Sequence, residues 1–126
     1  MANKKVFVLD TEGYVRKIEQ TFRKLSNTKN IEMVIHDDKT RLDYNFETRL
    51  PEDYDVYFVH VPLSSLNALT KLKRSQPWSK VLVRTSMGND VLDFGIRREF
   101  DGTYTGTLAT ELRVTEILDE WGLLSY

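Results

Sequence analysis

The chain has 126 residues, no cysteine and a formal net charge of −1. Disulfides, thiol catalysis and a zinc ribbon are therefore excluded, and a near-neutral balance speaks against nonspecific attachment to nucleic acid or anionic membrane as the main activity. Hydrophobic residues at 40% and charged residues at 29% fit a single domain over 1–126 that buries its own core without staples.

The N-terminal apolar run is only Val6 to Leu9, too short for a signal-peptide core, and no run approaches membrane-spanning length. A cytoplasmic setting is the expectation that fits.

In chain order, Val6-Phe7-Val8-Leu9 is a continuous apolar run between polar flanks, which predicts a strand covered on both faces. Thr11, Glu12 and Gly13 make a turn, and Val15, Ile18, Phe22 and Leu25 recur at helical spacing. Ser26 to Asn30 is a loop by composition. Ile31 to Ile35 is a second strand ending at His36 and Asp37. Between Asp38 and Pro51 two periods overlap. Leu42, Tyr44 and Phe46 alternate, while Leu42, Phe46 and Leu50 are four apart. A crossover between parallel strands favours a short or irregular helix; an extended edge segment is the other reading.

Tyr54 to Val61 is the third strand. Ser64 or Ser65 is placed to cap the helix that follows, with Leu63, Leu66, Leu69 and Leu72 as its apolar stripe and Lys71, Lys73 and Arg74 in its last turn. After Pro77 comes a fourth strand, Lys80 to Thr85. Val91 to Ile96 reads as a short helix broken at Gly95 or as an extended piece. Phe100 to Thr105 is expected as a fifth strand, weakened by Gly102. From Thr107 the pattern is helical, with Leu108, Leu112, Leu118 and Trp121 near one face, Val114 and Ile117 beside it, and Gly122 as the stop.

Strands alternating with helices predict an α/β fold of about five mostly parallel strands with helices on both faces. In such folds the functional crevice lies beyond the carboxyl ends of the strands. The residues there are Asp10, Thr11 and Glu12 after the first strand, His36 and Asp37 after the second, and His60, Ser64 and Ser65 at the third. Thr85, Ser86 and Asn89 follow the fourth, with Thr105 and Thr107 near the fifth.

Three stretches resemble the receiver domain of bacterial two-component signalling. Val6-Phe-Val-Leu-Asp-Thr-Glu12 followed by Arg16 resembles the family's opening strand, acidic turn and first helix. Tyr54-Asp-Val-Tyr-Phe-Val-His-Val-Pro62 resembles the phosphoacceptor strand, and Trp78-Ser-Lys-Val-Leu-Val-Arg-Thr-Ser86 the fourth strand with its terminal hydroxyl residue. The resemblance implies a flavodoxin-like three-layer sandwich. It also implies what is altered. His60 stands where the family has its acceptor aspartate, and Thr11 replaces the central acid of the turn, leaving Asp10 and Glu12. Two adjacent acids and an acceptor carboxylate normally hold magnesium through oxygen; one acid and an imidazole are a poor substitute. Thr85 matches the switch hydroxyl, and no lysine is found after the fifth strand, where Thr105, Gly106 and Thr107 stand.

The expectation is a degenerate, or pseudo-, receiver: a stand-alone regulatory module of signal transduction that binds another protein, with a homodimer as one form, without aspartyl phosphorylation. No further segment beyond Tyr126 supplies an output of its own. The crevice set is Asp10, Thr11, Glu12, His60, Thr85 and Ser86. No catalytic residue stands out beyond His60, and a hydrogen-bonded strand-end imidazole is its plainer reading. No metal or cofactor is expected. Asp10, Glu12, His36, Asp37 and His60 could converge on a transition metal, but no diagnostic ligand spacing links them. Tyr104 and Trp121 are candidates for an interface, with core packing as the safer reading. The alternative function is an enzyme for a small molecule or phosphate ligand with His60 as acid or base. A nucleic-acid-associated factor comes third, because no DNA-reading helix pair is present.

Overall fold

The apolar runs become strands. The computed structural model describes residues 3–37, 51–61, 63, 65–85 and 99–125. β1 (Lys4–Leu9), β2 (Ile31–His36), β3 (Val56–Val61), β4 (Lys80–Thr85) and β5 (Gly102–Thr103) form one sheet in the order β2-β1-β3-β4-β5. Every neighbouring pair is parallel. The helices described are α1 (Glu12–Leu25), α2 (Leu66–Ser75) and α3 (Thr107–Trp121). The readings of Leu42 to Leu50 and of Val91 to Ile96 lie outside the described residues.

Side chains alternate across a strand, and this splits the core into two layers. Val6, Val8, Val56, Phe58 and Leu82 pack with Val15, Ile18 and Phe22 of α1 and with Val114, Ile117 and Leu118 of α3. Phe7, Leu9, Tyr57, Val59, Val81 and Val83 pack with Ala68, Leu69 and Leu72 of α2. The central strands are apolar on both faces because helices cover both. Each large side chain removed from water here, such as Phe22 or Leu69, contributes roughly 1.5–3 kcal/mol. The opposite pole is pinned by Asp55. Its carboxylate accepts from the Lys5 amide at 2.8 Å, and its backbone bonds both Lys5 and Lys80. Three strands therefore start in register.

Local signals explain the helices. Ser65 caps α2: its Oγ accepts from the Ala68 amide at 3.1 Å. α1 buries the expected Val15, Ile18 and Phe22.

The last helix is rotated from expectation. Leu108 and Leu112 are exposed, at 81% and 50%, and the buried stripe is Thr110, Val114, Ile117 and Leu118. A polar residue enters that stripe because its hydroxyl is satisfied. Thr110 Oγ1 donates within 2.8 Å of both the Tyr104 and Gly106 carbonyls.

β5 is shorter than the predicted Phe100–Thr105 strand. Gly102 has φ +147°, and a Cβ there would meet the Arg113 guanidine at 3.2 Å. Arg113 Nε donates to the Thr103 carbonyl at 3.0 Å, so the helix side chain takes the place of a longer ladder.

Candidate functional site at the carboxyl ends of the strands

Asp10 leaves the end of β1 and is fully buried. Its amide donates to the His36 carbonyl at 3.1 Å, which continues the β1–β2 ladder one step. By alternation its side chain shares the α1/α3 face with Val8. His60 shares that face with Phe58, and Arg84 with Leu82. Three polar residues from three adjacent strands thus converge at one end of an otherwise apolar layer.

A buried carboxylate needs donors, and Asp10 has four. Arg84 Nε donates to Oδ2 at 3.0 Å and Arg84 Nη2 to Oδ1 at 2.5 Å. The Tyr104 hydroxyl donates to Oδ2 at 2.7 Å, and the Thr11 amide to Oδ1 at 2.6 Å. Each carboxylate oxygen therefore accepts two bonds, and the guanidinium engages it as a two-pronged fork. The other side of that guanidinium lies over the Tyr14 ring, 3.8 Å from its centroid, a cation–π contact strengthened by burial. Tyr14 in turn accepts from the Gly106 amide at 2.9 Å. Gly106 has φ +94°, a conformation open to glycine at little cost. It begins α3, whose Thr107 hydroxyl accepts from Lys17 of α1 at 2.7 Å. The strand-end cluster is continuous with the start of the last helix.

The electrostatics favour a neutral Tyr104 phenol and a charged Arg84 guanidinium. Burial pushes the Tyr104 hydroxyl well above the ordinary tyrosine value, and the neighbouring Asp10 charge raises it further, with Arg84 opposing. Burial alone lowers the Arg84 value, but the bonds to and charge of Asp10 outweigh it and raise the net.

The expected crevice residues separate. Asp10 and Thr11 belong to the cluster, with Arg84 Nη2 3.5 Å from Thr11 Oγ1. His60 is buried, and its Nδ1 lies 3.0 Å from the Arg84 carbonyl. A carbonyl only accepts, so Nδ1 carries the proton. Glu12 pairs with Arg16 at 2.7 Å on exposed helix surface. Thr85 is buried at the end of β4, opposite Val61. His36 sits against Phe7, which belongs to the α2 layer, on the opposite face from Asp10. Ser64 and Ser86 lie outside the described residues.

Tyr104 is corrected as an interface candidate. It is 0% exposed, with Phe58 packed edge-on at 5.1 Å and Asp10 on its hydroxyl. The safer expectation of core packing holds. Trp121 is half-buried, stacked on Phe22 at 6.5 Å with Lys4 Nζ 5.6 Å from its ring.

Arg84 is the residue that sequence reasoning passed over. The signal was a cation ending the apolar run Val81-Leu82-Val83. In a strand covered on both faces such a charge needs a buried partner, and Asp10 stands at the matching strand end.

The resemblance implies a magnesium ion at this place, and the residues do not fit one. Both Asp10 oxygens are taken by Arg84, Tyr104 and the Thr11 amide. Thr11 brings no carboxylate, and Glu12 bonds Arg16. Among the described residues no group of three or more histidine, aspartate or glutamate side chains could hold a metal.

Searches of the sequence against protein-family models and curated proteins give no match. Solved structures do match. The DrrB receiver domain in its BeF3-activated form, from a Thermotoga maritima protein, is 16% identical, with 93% of this chain and 98% of that one covered and a TM-score of 0.66. An orphan response regulator of H. pylori is 14% identical, with 94% and 96% covered and a TM-score of 0.64. A CheY-like receiver domain protein from Methanospirillum hungatei is 16% identical, with 95% and 97% covered and a TM-score of 0.62. The five-stranded parallel sheet, its strand order and its flanking helices thus give this chain the flavodoxin-like fold of response-regulator receiver domains.

Proposed function

We propose that this chain is a receiver-like regulatory module that acts by binding another protein, without taking a phosphoryl group at the strand ends. The observation that carries this reading is the saturation of Asp10 by Arg84, Tyr104 and the Thr11 amide. A receiver that signals by phosphorylation needs an open carboxylate for a hard cation. Here the chain's own guanidinium supplies the positive charge, so the crevice is held in one state. Removing one partner of a buried, hydrogen-bonded ion pair costs about 3–5 kcal/mol, so the pair holds its arrangement. His60 fits the same reading as a strand-end group tied to the Arg84 carbonyl.

The module works as a single domain over 1–126 in the cytoplasm; no helix among the described residues is long and apolar enough to cross a membrane. Its net charge of −1 favours a protein partner over nucleic acid.

The test is incubation with acetyl phosphate and magnesium, followed by intact mass and phosphorus NMR. No adduct is expected. Stable incorporation that disappears in His60→Ala or Asp10→Asn overturns the reading and moves the chain toward phosphoryl chemistry. Capture of a specific protein from native lysate, identified by mass spectrometry, names the partner.

A further inference from the structure

The end of the sheet opposite β5 presents a second feature that the strand-end cluster does not use. β2 is the edge strand, and no described strand lies beyond it. Its backbone polarity can be assigned. The His36 carbonyl accepts from Asp10 on β1, and groups on one residue of a parallel strand face the same neighbour. The amides and carbonyls of Glu32, Val34 and His36 therefore face β1, while those of Ile31, Met33 and Ile35 face outward. Beside this edge lies a cavity of about 480 Å³ lined by Glu19, Phe22, Arg23, Thr28, Lys29, Ile31 and Met33. Its apolar floor is Phe22 from α1 with Ile31 and Met33 from β2. Two of the three residues with outward backbone groups, Ile31 and Met33, thus also floor the cavity with their side chains.

We propose that β2 and this groove form a docking edge for an extended, acid-bearing segment of a partner protein, which adds as a sixth strand. The inference deepens the protein-binding reading above and rests on it. An added strand would bond the outward groups of Ile31, Met33 and Ile35. Every second side chain would then fall on the α1 face, into the groove, where apolar groups meet Phe22, Ile31 and Met33. The rim selects charge. Glu19 is already paired with Arg23 at 3.4 Å, which leaves Lys29 as the cation at the loop end and the lining positive by one. A carboxylate on the incoming segment is complementary; a lysine is not. The flexible thioether of Met33 lets the floor adapt to different side chains. A free apolar molecule could fill the groove but would leave the backbone groups of the edge untouched.

The experiment titrates nitrogen-15-labelled full chain with an acetylated eight-residue peptide that alternates valine and threonine and ends in two aspartates. Two control peptides carry lysines in place of the aspartates, or a central proline. The expected result is slowed hydrogen exchange and large shifts at the Ile31, Met33 and Ile35 amides, smaller changes at Glu32 and Val34, and loss of binding with the proline peptide. Lys29→Glu, an exposed substitution that leaves the core alone, is expected to weaken the aspartate peptide about three- to fivefold and to favour the lysine peptide. Changes that map elsewhere, or none, overturn the proposal. Equal binding of the proline peptide also overturns it and marks the groove as an apolar pocket only. If the edge fails while wild type and Lys29→Glu capture the same lysate protein, the docking surface is wrong and the interaction role stands. Phosphoryl incorporation at the strand ends would sink the role without bearing on the edge.

Discussion

Arg84 and Asp10 form a buried ion pair at the strand ends. Charges buried on one face of a parallel sheet are expensive unless each lone pair and proton is used, and here each carboxylate oxygen accepts twice. Replacing Arg84 with alanine strands Asp10 and is expected to cost about 3–5 kcal/mol, measured by urea unfolding. Adding Asp10→Asn should recover part of that loss, because the orphaned charge goes with it. Tyr104→Phe removes one hydrogen bond to a charged acceptor and should cost about 1.5–3 kcal/mol. The same tyrosine sets an alkaline limit. Its folded value is raised above the ordinary 10.0, first by burial and then by Asp10. Its contribution is therefore complete below pH about 10 and is lost as pH climbs from there toward the folded value. Tyr54 is raised too, by burial and by Glu32, so the comparison that isolates Tyr104 is the difference between wild type and Tyr104→Phe across that range. Parallel profiles would refute the assignment.

At the scale of elements, most of the architecture was legible. Continuous Val, Ile and Phe runs gave strands in β1, β2, β3 and β4, and three- and four-residue spacing gave α1 and α2. α3 misled because Leu108 and Leu112 are apolar yet exposed, while Thr110 is polar yet buried. Hydropathy cannot see that a hydroxyl will be satisfied by the Tyr104 and Gly106 carbonyls. The start of that helix offers a test. Nothing lies within 4 Å of a Cβ placed on Gly106, but its φ is +94°. Gly106→Ala therefore meets no clash and pays only for backbone strain, about 1–3 kcal/mol. Its thermal midpoint should fall by a few degrees with an unchanged far-ultraviolet spectrum. A stability equal to wild type would mean the turn relaxes freely.

At the scale of the molecule, both core layers draw on the same four strands, β1 to β4, so neither can melt alone. Urea unfolding followed by Trp fluorescence and by circular dichroism should give one coincident transition. Because the Asp10–Arg84 pair is screened by protein and not by ions, raising salt from 0.05 to about 0.5 M should shift the midpoint little. Two separated transitions would contradict the shared sheet.

The sequence by itself determined the layers and the parallel sheet, because these follow from periodicity and from the need to cover both faces of each apolar strand. Only the tertiary structure decided what meets at the strand ends. Asp10, Arg84 and Tyr104 are 74 and 94 residues apart along the chain, and no local pattern records that three strand ends bring a carboxylate, a guanidinium and a phenol within hydrogen-bonding distance. Pairing across a sheet is a property of register, and register exists only once the chain has folded.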